Sequence, residues 1–249
     1  MWKEFKEIPD TRKNPETCLS AVQKDGRALH YVPENLQTPE LCLEAVKQNA
    51  LALWDVPDTM MTEELCLEAI RQDGLTIRIV PEDRLTPKLC MEAICQNGMA
   101  LQYIPDDYVT KELCLRAVKM DGLALRFVLD DLRTPVLCLE AVRQNGNALC
   151  FLPLELKTQE LCLEAVRTNG QALVFVPDNF RTEEVCLAAV KKDGHALVFV
   201  PDAMKTPEIC QEAVNQNDRV LMFVPDMFKG KKGELLSLKK MRRRFEAGM

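Results

Sequence analysis

The feature that most constrains this chain is a period of 24 residues, marked by Thr38, Thr62, Thr86, Thr110, Thr134, Thr158, Thr182 and Thr206, with Asn14 opening the first unit. No insertion breaks the register, so residues 14–229 hold nine copies of one short module. A module of this size cannot bury an apolar face alone, whereas stacked neighbours share a continuous core.

One module, residues 158–181, reads TQELCLEAVRTNGQALVFVPDNFR. Thr158 is a good helix N-cap, and in five of the nine modules proline follows at the first helical position, as in Thr38-Pro39. Glutamates such as Glu40 and Glu160 suit the positive end of the helix dipole. Asn-Gly or Asp-Gly, as at Asn97-Gly98 and Asp121-Gly122, predicts an end in which glycine takes the left-handed conformation, leaving a helix of about eleven residues. Leu161, Cys162, Ala165 and Val166 fall on one apolar face, while Glu164 and Arg167 point away. The second half of the module is broken by Pro177, which predicts a short helix or 3₁₀ turn followed by a proline-started turn.

The expected fold is all-α: a right-handed α-solenoid of nine tandem 24-residue helix–turn–short-helix (or 3₁₀) repeats. At about 10 Å per module it would span roughly 90 Å. Residues 1–13 read as an N-terminal half-repeat cap, because Phe5, Ile8, Pro9 and Asp10 match the second half of a module. Residues 230–249, with Leu238, Met241 and Phe245 at helical spacing, read as a basic C-terminal capping helix or tail, so that both ends of the stack are expected to be closed.

The charge balance is −6, which argues against a generally basic, phosphate-binding surface. The start, MWKEFKEIPD, lacks the apolar run of a signal peptide, and no stretch of about 18 apolar residues occurs. The expectation is a soluble, cytoplasmic protein with no membrane contact. Nine of the eleven cysteines share one module position, from Cys18 and Cys42 to Cys186 and Cys210. Equivalent positions on stacked helices lie about 8–10 Å apart, beyond the roughly 7 Å that a disulfide spans. They are expected to be free thiols packed as small apolar groups, and no metal site is expected, since no CxxC-type pairing occurs.

The run LCLEAVKQNALALWDVP at residues 41–57, with its copies at Leu137 and Leu161, resembles the short helical repeats of bacterial proteins described as domain of unknown function 4116. The resemblance covers nearly the whole chain and implies the repeat fold, with no catalytic residue to carry over. A weaker likeness is to the leucine-rich variant repeat, which also alternates α- and 3₁₀-helix. Its iron–sulfur module is not implied here, because no cysteine cluster precedes the repeats.

No catalytic residue and no cofactor is expected, as the chain has two histidines, His30 and His195, both at variable surface positions, and no P-loop, GxGxxG, HExxH or GxSxG motif. The glutamate row Glu44, Glu68, Glu92, Glu140, Glu164 and Glu212 reads as a solvated stripe beside Lys and Arg rather than a convergent acid–base pair. Variation between modules is the more informative signal. One variable position runs Arg27, Leu51, Leu75, Met99, Leu123, Asn147, Gln171, His195 and Arg219. Another runs His30, Trp54, Arg78, Gln102, Arg126, Cys150, Val174, Val198 and Met222, polar or basic to Arg126 and apolar afterwards. Such ladders either receive a partner or pack internally; Trp54 is read as a displaced core aromatic, with an interface anchor as the alternative. Module five is irregular, with Arg116 and Leu129 replacing the usual glutamate and proline, and a local change of curvature is expected there.

From Gly230 the chain carries seven Lys/Arg and two Asp/Glu, a balance of +5 that leaves −11 for residues 1–229. Lys239, Lys240, Arg242, Arg243 and Arg244 form a solvated basic cap, or contact the acidic stack, an acidic protein or nucleic acid. The functional expectation is a non-catalytic scaffold that binds a protein or peptide along one face of the superhelix, as an accessory to a larger bacterial complex. The alternatives are a nucleic-acid binder reading one position per repeat and an acidic mimic of nucleic acid.

Overall fold

The threonine ahead of each module has a direct local consequence. In the computed structural model, which describes residues 5–230 and 233–248, Thr158 is extended (φ −107°, ψ 162°) and its Oγ1 accepts the Leu161 N–H at 3.2 Å. The contact recurs at every other module threonine. It satisfies one of the N–H groups that a first helical turn leaves without a partner. Asn14 plays this part in module one, where Thr17 returns the bond to complete a capping box.

The chain divides into two compact units, residues 1–120 with 127–132 and residues 121–126 with 133–249. The first holds α1 (Pro15–Lys24), α2 (Pro39–Gln48), α3 (Glu63–Gln72), α4 (Pro87–Gln96) and α5 (Lys111–Met120). The second holds α6 (Pro135–Gln144), α7 (Gln159–Thr168), α8 (Glu183–Lys192), α9 (Pro207–Gln216) and α10 (Leu238–Gly248). The division falls inside the irregular fifth module.

The nine module helices are ten residues long, one fewer than expected, and they end differently. Among the described residues only Gly233 has a positive φ, so the Asn-Gly pairs form no left-handed cap. Asn169 stays extended (φ −142°, ψ 112°) and gives its N–H to the Ala165 carbonyl at 2.8 Å. Its Oδ1 accepts the Gln171 N–H at 3.1 Å. One side chain thus closes the α-helix and caps the 3₁₀-helix that begins at Gly170. The glycine serves close approach instead: a Cβ built on Gly194 would lie 2.7 Å from the Ala213 carbonyl oxygen of the next module, inside van der Waals contact.

Each module then runs through a six-residue 3₁₀-helix, such as Gly170–Phe175, a step that is Val-Pro in six of the nine modules, and a three-residue 3₁₀ turn, such as Asp178–Phe180. Within each unit, successive α-helices pack on one another and the six-residue 3₁₀-helices do the same, giving two layers. The core lies between them. Leu161, Cys162, Ala165 and Val166 enter from the α layer, and Ala172, Leu173 and Val176 from the 3₁₀ layer; all are buried. Burying side chains of the Leu or Val type contributes about 1.5–3 kcal/mol each. Each unit is therefore an all-α repeat solenoid, and the repeated cysteine is one of its core residues, free in every module.

At the start of the described chain, Asp10–Arg12 forms the same three-residue turn after Pro9, and Phe5 is buried. At the other end α10 packs on α9 and on the turn Asp226–Phe228, burying Met241 and setting Phe245 6.0 Å from Phe228, ring to ring.

Candidate binding face

A 3₁₀-helix has three residues per turn, so side chains three apart eclipse. The two variable ladders are three apart. Arg27 lies under His30, Leu51 under Trp54, Gln171 under Val174 and His195 under Val198, all on the side of the 3₁₀-helix that faces away from the buried Ala and Leu. Two positions that look independent in sequence therefore form one face, two residues wide in every module.

In the second unit this face is divided lengthwise. After Leu123 its first row is polar, and Asn147, Gln171 and His195 are tied into the scaffold across module boundaries. Asn169 Nδ2 donates to Asn147 Oδ1 at 2.9 Å, and Gln171 Nε2 donates to Asp193 Oδ2 at 3.0 Å. Asn217 Nδ2 meets His195 Nε2 at 2.8 Å. Because Asn217 Oδ1 already accepts the Arg219 N–H, its amide nitrogen is left facing the ring, which makes His195 Nε2 the acceptor. The second row is apolar and outward. Val174 is 42% exposed, Val198 44% and Met222 73%, with Cys150 half-buried beside them. Arg126 opens the row with its guanidinium 5.7 Å above the Phe151 ring. Burial pushes the Cys150 thiol up despite Lys157 and Arg126 nearby, so it is a packing group rather than a nucleophile.

In the first unit the character is inverted after Arg27. Leu51, Leu75 and Met99 put apolar side chains in the first row, and His30, Arg78 and Gln102 put exposed polar ones in the second. His30 Nδ1 lies 2.7 Å from Asp55 Oδ1. Trp54 breaks the polar row. It is 61% exposed, which overturns its reading as a core aromatic: Ala52 and Leu53 fill the interior of that 3₁₀-helix, and the eclipsed position turns the indole outward.

The glutamate row is also corrected. Glu44, Glu68, Glu92, Glu140, Glu164 and Glu212 are half-buried rather than fully solvated, and several bridge laterally. Arg143 lies 3.6 Å from both Glu140 and Glu164, and Gln48, Gln72, Gln96 and Gln216 each bond the glutamate four residues earlier. Among the described residues no three His, Cys, Asp or Glu side chains gather as a metal-binding group, and no helix is long and apolar enough to cross a membrane.

The basic tail splits. Arg242 Nε donates to Glu208 Oε1 at 2.5 Å, and Arg244 Nη1 donates to the carbonyls of Met227 and Lys229 at 2.9 and 3.1 Å. Lys239, Lys240 and Arg243 remain exposed. Sequence reasoning missed both the merging of the two ladders and the polar ties. The first had a usable signal, since a 3₁₀ expectation and a spacing of three together imply one face.

The model of the family described as Domain of unknown function (DUF4116) matches residues 14–61, 62–109, 86–133, 110–157, 137–181 and 182–229. Most of these matches span two modules, and those at 62–109, 86–133 and 110–157 overlap by one module each, so the family unit is a module pair that can be read in either phase. No curated protein and no solved structure matches the chain significantly.

Proposed function

The chain belongs to the family described as Domain of unknown function (DUF4116), and from that premise we propose that it is a non-catalytic scaffold holding a protein or peptide partner along its 3₁₀ face. The observation that carries this reading is the row Val174, Val198 and Met222, exposed once per module beside a polar row already occupied by bonds within the scaffold. Outward apolar side chains in register leave apolar area in water that the fold does not use, and suit a partner's apolar segment. Trp54 is the corresponding anchor in the first unit, as a large, exposed aromatic of the kind that dominates interfaces. Arg78 and Gln102 then supply polar contacts on the 3₁₀ face of the first unit, and Arg126 and His195 on that of the second. The tail is read as a packing element, since Arg242 and Arg244 are engaged with the last module rather than presented as phosphate ligands. Buried free thiols in every module suit a reducing, cytoplasmic compartment.

The test is affinity capture from the native host with the wild-type chain and with Val174→Glu/Val198→Glu. Loss of a partner from the variant supports the face. Retention of every partner by the variant and by Trp54→Ala rejects it. Binding of labelled single-stranded nucleic acid that weakens steeply between low and high salt would instead favour the nucleic-acid reading.

A further inference from the structure

A different surface lies on the α layer of the second unit, where α6 meets the start of α7. Pro135, Val136, Leu139, Leu156 and Leu161 line an open cleft of about 350 Å³. That is near the lower end of the range for ligand sites, room enough for an anchoring side chain but not for a domain. The same cleft recurs between modules one and two, lined by Pro15, Leu19, Leu36 and Leu41, so it is a product of the repeat. What distinguishes module six is its rim. The second helical residue is glutamate in seven modules and Lys88 in module four; in module six it is Val136, 67% exposed. Local physics opposes valine there, because a β-branched residue is a poor helix former and the first turn favours an acid.

The charged groups that line the cleft are both acidic. Glu155 and Glu160 stand exposed on the rim and form no ion pair among the described residues. The nearby cation is committed, with Lys157 Nζ donating to the Phe175 carbonyl at 3.0 Å. The Thr158 hydroxyl is taken by the Leu161 N–H. An occupant must therefore bring an apolar group for the floor and positive charge for the rim. We propose that this cleft docks a basic segment of another protein, inserting one bulky aliphatic or aromatic side chain between flanking Lys or Arg residues. The surplus of −11 over residues 1–229 would draw such a segment in from a distance.

The proposal is tested by titrating the full chain with a short labelled peptide carrying Leu-Trp between pairs of lysines. Its controls are the same peptide with glutamates for lysines and with glycines for Leu-Trp. The basic, apolar peptide is expected to bind, and both controls to bind about tenfold more weakly or worse. Leu139→Gln, which installs the residue that module nine carries as Gln211, is expected to weaken the first peptide about tenfold. Leu19→Gln in the sister cleft is expected to leave binding unchanged. Glu155→Lys/Glu160→Lys is expected to shift preference to the glutamate peptide. Equal binding of the first peptide to wild type and Leu139→Gln overturns the proposal, and so does equal affinity for the lysine and glutamate peptides. Self-association of the chain that Leu139→Gln abolishes would make the occupant a second copy and overturn it equally.

Discussion

A cysteine in each module and a glycine in seven of the nine decide how tightly the layers sit. The added methyl of Gly194→Ala would press on the Ala213 carbonyl of the following helix. Overpacking of this kind costs about 1–3 kcal/mol, against roughly 0.4–1 kcal/mol gained from a stiffer unfolded chain. Net destabilisation is expected, read as a lower urea midpoint at unchanged slope. Asp218→Ala, at the same position in module nine, has no tenth module to meet and is expected to be neutral. The cysteines predict a pH dependence. Burial pushes the thiols of Cys42, Cys66, Cys90, Cys114 and Cys162 up to about 11 and that of Cys210 to about 12, from an ordinary value of 9.0. Between those values the unfolded chain has released protons that the folded chain keeps. Stability is then full below about pH 9 and falls as pH rises towards 11 and 12. Urea midpoints in a series from about pH 8 to pH 10.5 check the sign. The burial of these residues was legible from their period. The role of the glycine was not, because Asn-Gly signals a left-handed turn by local rules, and the carbonyl that demands a missing Cβ belongs to a residue nineteen positions later.

At the scale of the element, the α-helix was the readable part and the 3₁₀-helix the obscure one. Threonine, proline and the apolar face of α7 are local signals, and all are used as read. The 3₁₀ face depends on a bond that few sequence patterns announce, in which Asn169 ends one helix and starts the next. That difference has a measurable form. Thr158→Ala removes a single cap bond and is expected to cost about 1 kcal/mol. Asn169→Ala removes the 3₁₀ cap and the tie to Asn147 together, and should lower the thermal midpoint further than Thr158→Ala. Leu129 offers the opposite case. Nine prolines at its equivalent positions hold φ between −53° and −65°, the range their rings impose. Leu129→Pro is expected to stabilise the chain by about 0.4–1 kcal/mol, measured by thermal unfolding.

For the molecule as a whole, stability should be the sum of module terms and neighbour terms rather than one cooperative quantity. Met241→Ala opens a cavity under α10, where a buried methionine lost to alanine costs about 2–5 kcal/mol. Amide exchange should speed up across residues 207–229 and stay unchanged in α1–α4. Uniform acceleration along the whole chain would show that the modules do not behave as a series. The joint between modules also has a grammar. Its two sides are unlike: a notch left by glycine on one module, and a backbone oxygen on the next. A head-to-tail joint of this kind sets no number of copies by itself, so an array built from it can gain or lose whole modules by duplication without redesigning a contact. Module two carries Ala50 at the glycine position and module nine carries Asp218, so a further copy would meet a negative charge where most earlier copies found an opening.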